Sequence, residues 1–143
     1  MIELRVTATF DYRDLVTRAM ATGCKVAMTD REDDGALAAV TELSHAMVSV
    51  VGEALNNVVE HAYDGRGGGE VTIRIVTTGD VLEVQMTDHG RPFEFDDAPD
   101  PDLASLPESG MGIYIIRELA DEVTYVPGPP NVLTMRKRLS GSS

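Results

Sequence analysis

The elements legible in this 143-residue sequence follow the order strand, helix, helix, hairpin, helix, hairpin. That order predicts a two-layer α/β sandwich, in which a mixed, mostly antiparallel sheet carries helices on one face. Three observations support it. Apolar and polar residues alternate over 2–8, 71–75 and 82–86; apolar residues recur at helical spacing over 12–20, 36–62 and 113–119; and two strand pairs are separated by short turn sequences. The length suits one domain spanning 1–143, with about 138–143 read as a flexible C-terminal tail.

Each element has a local reason. Ile2, Leu4, Val6 and Ala8 alternate with Glu3, Arg5 and Thr7, the period of a half-buried strand. Tyr12, Leu15, Val16, Ala19 and Met20 repeat at helical spacing, and Gly23 reads as the stop. Asp33 or Asp34 supplies a cap for a second helical region from about Ala36 to Ala62, with a bend expected near Ser44. The glycine-rich run Asp64–Gly69 reads as an exit loop. Val71, Ile73 and Ile75 face Leu82, Val84 and Met86 across the turn "TGD". The polar, proline-bearing stretch Glu94–Ser109 has no regular period and reads as a mobile lid. A third helix follows through Ile113, Ile116 and Leu119, and "VTYV" and "VLTMRKRL" flank "PGPPN" as a last strand pair.

Composition excludes several classes. Twenty-four acids against twelve bases give a net charge of -12, a field that repels nucleic acid and suits a protein partner with a basic face. No run approaches the ~18 apolar residues that span a bilayer, and the first residues lack the pattern of a signal peptide. A cytoplasmic protein is therefore expected. The single cysteine, Cys24, makes no internal disulfide and reads as a small buried side chain rather than a reactive thiol.

Three constellations carry chemistry. On the second helix, Met47, Val51, Ala54, Leu55, Val58 and Ala62 fall on one side, and Ser49, Glu53, Asn56, Asn57, Glu60 and His61 on the other. That polar side fits an ordinary wet face, yet no lysine or arginine lies between Arg31 and Arg66. The second reading is a site for oxygen ligands. Glu53 and Asn57, one turn apart, would look into one cavity as proton acceptor and hard-cation ligand. In "MTDHGRPF", Asp88 shares parity with Met86, Val84 and Leu82, which points its carboxylate toward the helices. There it either ends the strand in a turn or accepts from the exocyclic amine of a purine, with Gly90 allowing close backbone approach. In "SGMGIYII", Gly110 and Gly112 precede a helix, so backbone N–H groups and the dipole offer a seat for phosphate. No P-loop or dinucleotide glycine motif occurs, and His45, His61 and His89 lack metal-ligand spacing.

In this order, "EALNNVVEHAY", "DHGRPF", "GMGIYIIRELADEVTY" and "VLTMRKRL" resemble the N, G1 and G2 boxes of the GHKL (Bergerat-fold) ATPases, and more narrowly the anti-sigma factor serine/threonine kinases of bacteria. The similarity covers almost the whole chain. It implies the Bergerat ATP-binding fold, with Glu53 as general base, Asn57 as Mg²⁺ ligand and Asp88 as the adenine-binding acid. It also implies that Gly90, Gly110, Met111 and Gly112 line the ATP and that Thr134 holds the adenine through water. Pro92 stands where many members of the wider superfamily carry a second glycine. No basic residue lies from Phe93 to Ile116, which leaves Arg91, Arg117 or a partner residue to neutralise the transferring phosphoryl group.

The implied function is an ATP-dependent serine/threonine protein kinase that phosphorylates an anti-anti-sigma factor of the STAS type and sequesters a sigma factor. The alternative is a nucleotide-gated anti-sigma binding module with little or no transfer. The ATP-binding half of a histidine kinase fits less well, because no dimerisation helix with a phosphoacceptor histidine precedes the motifs. The resemblance further implies a homodimer built by the first strand and helix.

Overall fold

Five strands form the sheet: β1 (Ile2–Thr7), β2 (Glu70–Thr78), β3 (Val81–Asp88), β4 (Glu122–Val126) and β5 (Asn131–Arg138), in the order β1-β2-β3-β5-β4. The computed structural model describes residues 1–29, 36–65, 68–92 and 111–139. Each of the four pairings is antiparallel. The helices α1 (Arg13–Met28), α2 (Ala36–Asn57) and α3 (Met111–Leu119) cover one side, with α2 packed between the other two. A short 3-10 turn, Phe10–Tyr12, leads into α1. The Asp33 or Asp34 cap, the Glu94–Ser109 lid and Gly110 lie outside the described residues.

Strand register sorts the side chains by face. Ile73, Met86 and Leu133 stand in one cross-strand row and Ile75, Val84 and Met135 in the next, all buried under the helices. Met20, Met47, Leu55 and Ile116 come down from the helices to meet them. Each such burial contributes about 1.5–3 kcal/mol. The opposite face is polar: Arg74 pairs with Glu3 at 3.5 Å, and Arg136 with Glu83 at 2.7 Å and Glu122 at 3.0 Å. The β2–β3 hairpin closes through Gly79 and Asp80, with Gly79 at φ 59, the first turn position that a type II′ hairpin gives to glycine.

Three expectations change. Gly23 does not stop the first helix, which continues to Met28; a Cβ there would come within 2.9 Å of Ile75 Cγ2, so this glycine lets α1 press onto β2. Ser44 lies inside the unbroken α2, and the departure from α-helical geometry comes later, in a π turn over Val58–Ala62 where the Tyr63 N–H reaches Val58 O at 3.2 Å. Arg138 closes β5 and the buried Leu139 donates its N–H to Asp80 O at 2.8 Å, so both belong to the folded sheet rather than to a tail.

Candidate functional site

The end of α2, the start of α3 and the β3–β5 edge meet at one end of the sandwich. Glu53 and Asn57 lie one turn apart on α2, and Gly112 in the first turn of α3 stands over both. A Cβ on Gly112 would lie 3.0 Å from Glu53 Oε2, 3.6 Å from Asn57 Oδ1 and 3.7 Å from Asn57 Nδ2. Any side chain at 112 would therefore crowd the carboxylate and the amide. Asn57 is only 8% exposed, and its Nδ2 has no hydrogen-bond partner. An unsatisfied buried donor costs about 1–3 kcal/mol, so this amide is a candidate for a partner beyond the described residues. A half-turn of the amide exchanges Nδ2 for Oδ1, so Asn57 can serve an anion as donor or a hard cation as ligand.

Asp88 ends β3 on the helix-facing side, as its parity predicts, and is 3% exposed. The Asn131 Nδ2 and the Gly90 N–H both donate to its Oδ1, each at 2.9 Å. Among the described residues no donor reaches Oδ2, which leaves that oxygen as an acceptor for a ligand. The close approach that Gly90 permits is to the π turn that follows α2: a Cβ would overlap the Ala62 carbonyl, which also accepts the Arg91 N–H at 2.8 Å. Met111, the first residue of α3, is half-buried.

Thr134 is not brought to this site. The ladder pairs it with Gln85 and Thr124, on the face of the sheet opposite Asp88. The residue that β5 does place beside Asp88 is Asn131, its direct cross-strand partner, which the sequence reading missed. Asn131 is fully buried and uses both ends of its amide: Nδ2 donates to Asp88 Oδ1 and to Gly90 O, each at 2.9 Å, and Oδ1 accepts the Gly128 N–H at 2.8 Å. Parity was the available signal, since Leu133 and Met135 share a face with Asn131 and not with Thr134.

Other candidates are spoken for or lie elsewhere. Arg91 holds Asp64 through Nη2 and Oδ1 at 2.6 Å. Burial pushes the Cys24 thiol up to about 11, against a lowering hydrogen bond to Ser44, which keeps it protonated near neutrality. Among the described residues no three His, Cys, Asp or Glu side chains gather as a metal site, and no helix is long and apolar enough to cross a membrane. A cavity of about 700 Å³ opens between α2, the end of α3 and the end of β5, lined by Glu42, Leu43, His45, Leu119 and Lys137 among others. It includes none of the site residues, and Lys137 there already donates to Leu119 O at 2.7 Å. The chemistry points to the Glu53, Asn57 and Asp88 end.

Comparison with known proteins identifies the family. Residues 13–137 match the Histidine kinase-like ATPase domain. The chain is 32% identical to the serine-protein kinase RsbW of Bacillus velezensis over 98% of its own length and 86% of the relative's. It is 36% identical to RsbW of Bacillus subtilis over 64% of this chain and 62% of that one. Among solved structures it resembles the histidine kinase domain from the Erythrobacter litoralis EL346 blue-light activated histidine kinase, at 26% identity and a TM-score of 0.53, over 70% of this chain and 46% of the other. The chain belongs to the histidine kinase-like ATPase family, and within it to the group that includes the RsbW serine-protein kinases.

Proposed function

We propose that this chain is an ATP-dependent serine/threonine protein kinase and anti-sigma regulatory factor. It phosphorylates an anti-anti-sigma partner of the STAS type and sequesters a sigma factor in the cytoplasm, with no direct contact to nucleic acid. The observation that carries the reading is the Glu53–Asn57 pair beneath Gly112, with Asp88 presenting, on the same side of the sheet, an oxygen that no donor among the described residues reaches. Relatedness to proteins named serine-protein kinase RsbW supports the phosphoacceptor class.

Asp88 accepts from the adenine amine through Oδ2, while Asn131 and the Gly90 N–H hold Oδ1 in place. The main chain at the start of α3, with Gly110, Met111 and Gly112, offers N–H groups to the phosphates. The hydroxyl oxygen of the target residue forms a new bond to the γ-phosphorus, and Glu53 accepts the hydroxyl proton. The bond from that phosphorus to the β,γ-bridging oxygen breaks, and ADP leaves with its electron pair. Asn57 would hold Mg²⁺ through Oδ1, which the amide can present after a half-turn because no hydrogen bond fixes Nδ2, and Mg²⁺ in such sites takes few protein ligands beside phosphate and water. When bound, Mg²⁺ supplies charge neutralisation to the phosphates. Glu53 in this position favours catalysis over a purely nucleotide-gated binding module. Phosphorylation of the partner then weakens its hold on the kinase.

The test is transfer of labelled γ-phosphate from ATP to candidate partner proteins, resolved by size. Label on a serine or threonine of a STAS-type protein is expected. Absence of transfer to every cognate partner, with ATP and a sigma factor still bound, would leave only the binding module.

A further inference from the structure

The described structure also bears on which cation meets the transferring phosphoryl group, for which the sequence offered Arg91, Arg117 or a partner. We propose that it is Arg13, the first residue of α1, seated on the backbone of α2; this inference rests on the function proposed above. Gly52 interrupts a 22-residue helix with a residue that costs about 1 kcal/mol against alanine, and it is buried. Its missing side chain is replaced by a guanidinium. A Cβ on Gly52 would overlap Arg13 Nη2 and stand 3.0 Å from Cζ. Arg13 Nε donates to Asn56 Oδ1 at 3.3 Å, which gives a role to an asparagine that the nucleotide motifs leave unused.

Gly52 and Asn56 immediately precede Glu53 and Asn57 on α2, so the guanidinium is seated along the same two turns as the reacting pair, about 100° around the helix axis from it. Charge accounting points the same way. Among the described residues Arg5, Arg18, Arg74, Arg91 and Arg136 each hold a carboxylate at 3.8 Å or closer. Arg13, like Arg138, holds none among the described residues, and of these two only Arg13 is seated against α2. With Nε committed to Asn56, the two Nη groups form a planar fork matched to phosphate oxygens. A half-buried arginine that pairs with no acid among the described residues suits a ligand that brings its own negative charge. Arg91 is engaged with Asp64 instead.

The experiment measures affinity of the folded protein for Mg·ATP and Mg·ADP by calorimetry. Arg13→Ala is expected to weaken ATP by about 10- to 100-fold with ADP nearly unchanged, the scale of losing a charged-group hydrogen bond. Gly52→Ala keeps the arginine and adds a better helix former, yet it displaces the guanidinium and should lower the ATP-over-ADP preference in the same direction. The double variant should be no worse than Arg13→Ala, and added guanidinium ion should restore part of the ATP preference to Arg13→Ala alone. An unchanged ATP-to-ADP ratio in Arg13→Ala overturns the proposal, and a loss in Arg13→Ala with none in Gly52→Ala overturns the seating on Gly52. Asn57→Ala and Asp88→Asn run in parallel: if they lose nucleotide while Arg13→Ala does not, only this inference fails. If all three bind as the parent does, the nucleotide site itself is misplaced and both readings fall.

Discussion

Two buried asparagines mark the two ends of the proposed site, and they are built in opposite ways. Asn131, at the base end, spends both ends of its amide on Asp88, Gly90 and Gly128 and is sealed from solvent. Asn57, at the phosphate end, is nearly as buried and leaves its Nδ2 without a partner. A saturated buried amide stabilises the fold, whereas an orphaned one costs stability and persists where a ligand completes it. In the proposed site the base end is thus preformed by the chain, and the phosphate end would be completed by what binds there.

The largest test of this contrast lies beside Asn57. Glu53→Gln keeps the shape of the side chain but not its capacity to take a proton, so single-turnover phosphotransfer should fall by about 10²–10⁴-fold while nucleotide affinity holds. Wild-type rates in a folded variant would remove Glu53 from the chemistry. Next in size, Asn57→Ala should weaken Mg·ATP by roughly 100-fold, since hydrogen bonds to charged groups are worth about 1.5–3 kcal/mol; calorimetry in excess Mg²⁺ reads it. Asn131→Leu should then destabilise the apo protein by about 2–3 kcal/mol and erode the preference for ATP over ITP, because Asp88 loses the partner that orients it. Denaturant titration and competition binding check the two parts separately. The smallest effect has the opposite sign: Asn57→Leu should stabilise the apo protein by about 1 kcal/mol, as removal of an orphaned donor recovers its desolvation cost. If both leucine variants destabilise equally, the contrast between the two ends is false.

Much of this site was legible because it obeys short-range periods. Glu53 and Asn57 are one helical turn apart, and Asp88 follows the alternation of Leu82, Val84 and Met86, so each could be placed from its own neighbours. The residues that were missed depend on contacts distant in sequence. Asn131 joins the site only because β5 pairs with β3 in the register that sets it opposite Asp88, and the same register sends Thr134 to the far face. Gly23 looked like a helix stop because its reason for being glycine is Ile75, on another element. Arg13 and Gly52 were silent for the same cause, since a cradle between two helices leaves no periodic trace in either. The π turn at Val58–Ala62 has no distinctive spacing before the chain is folded.

Just beyond that π turn, Tyr63 ties three segments with one atom. Its hydroxyl donates to Glu70 O at 2.8 Å and accepts the His89 N–H at 2.9 Å, so the exit of α2, the entry of β2 and the loop after β3 share a common anchor. The two ends of the connector are held as well: the Gly65 N–H donates to Val59 O and the Ala8 N–H to Gly69 O, each at 2.8 Å. For protein engineering this makes the chain between those two held ends a place to insert a reporter peptide or an affinity tag, since both ends and the phenol anchor are closed independently of its length. The graft should leave nucleotide affinity intact, provided the phenol stays.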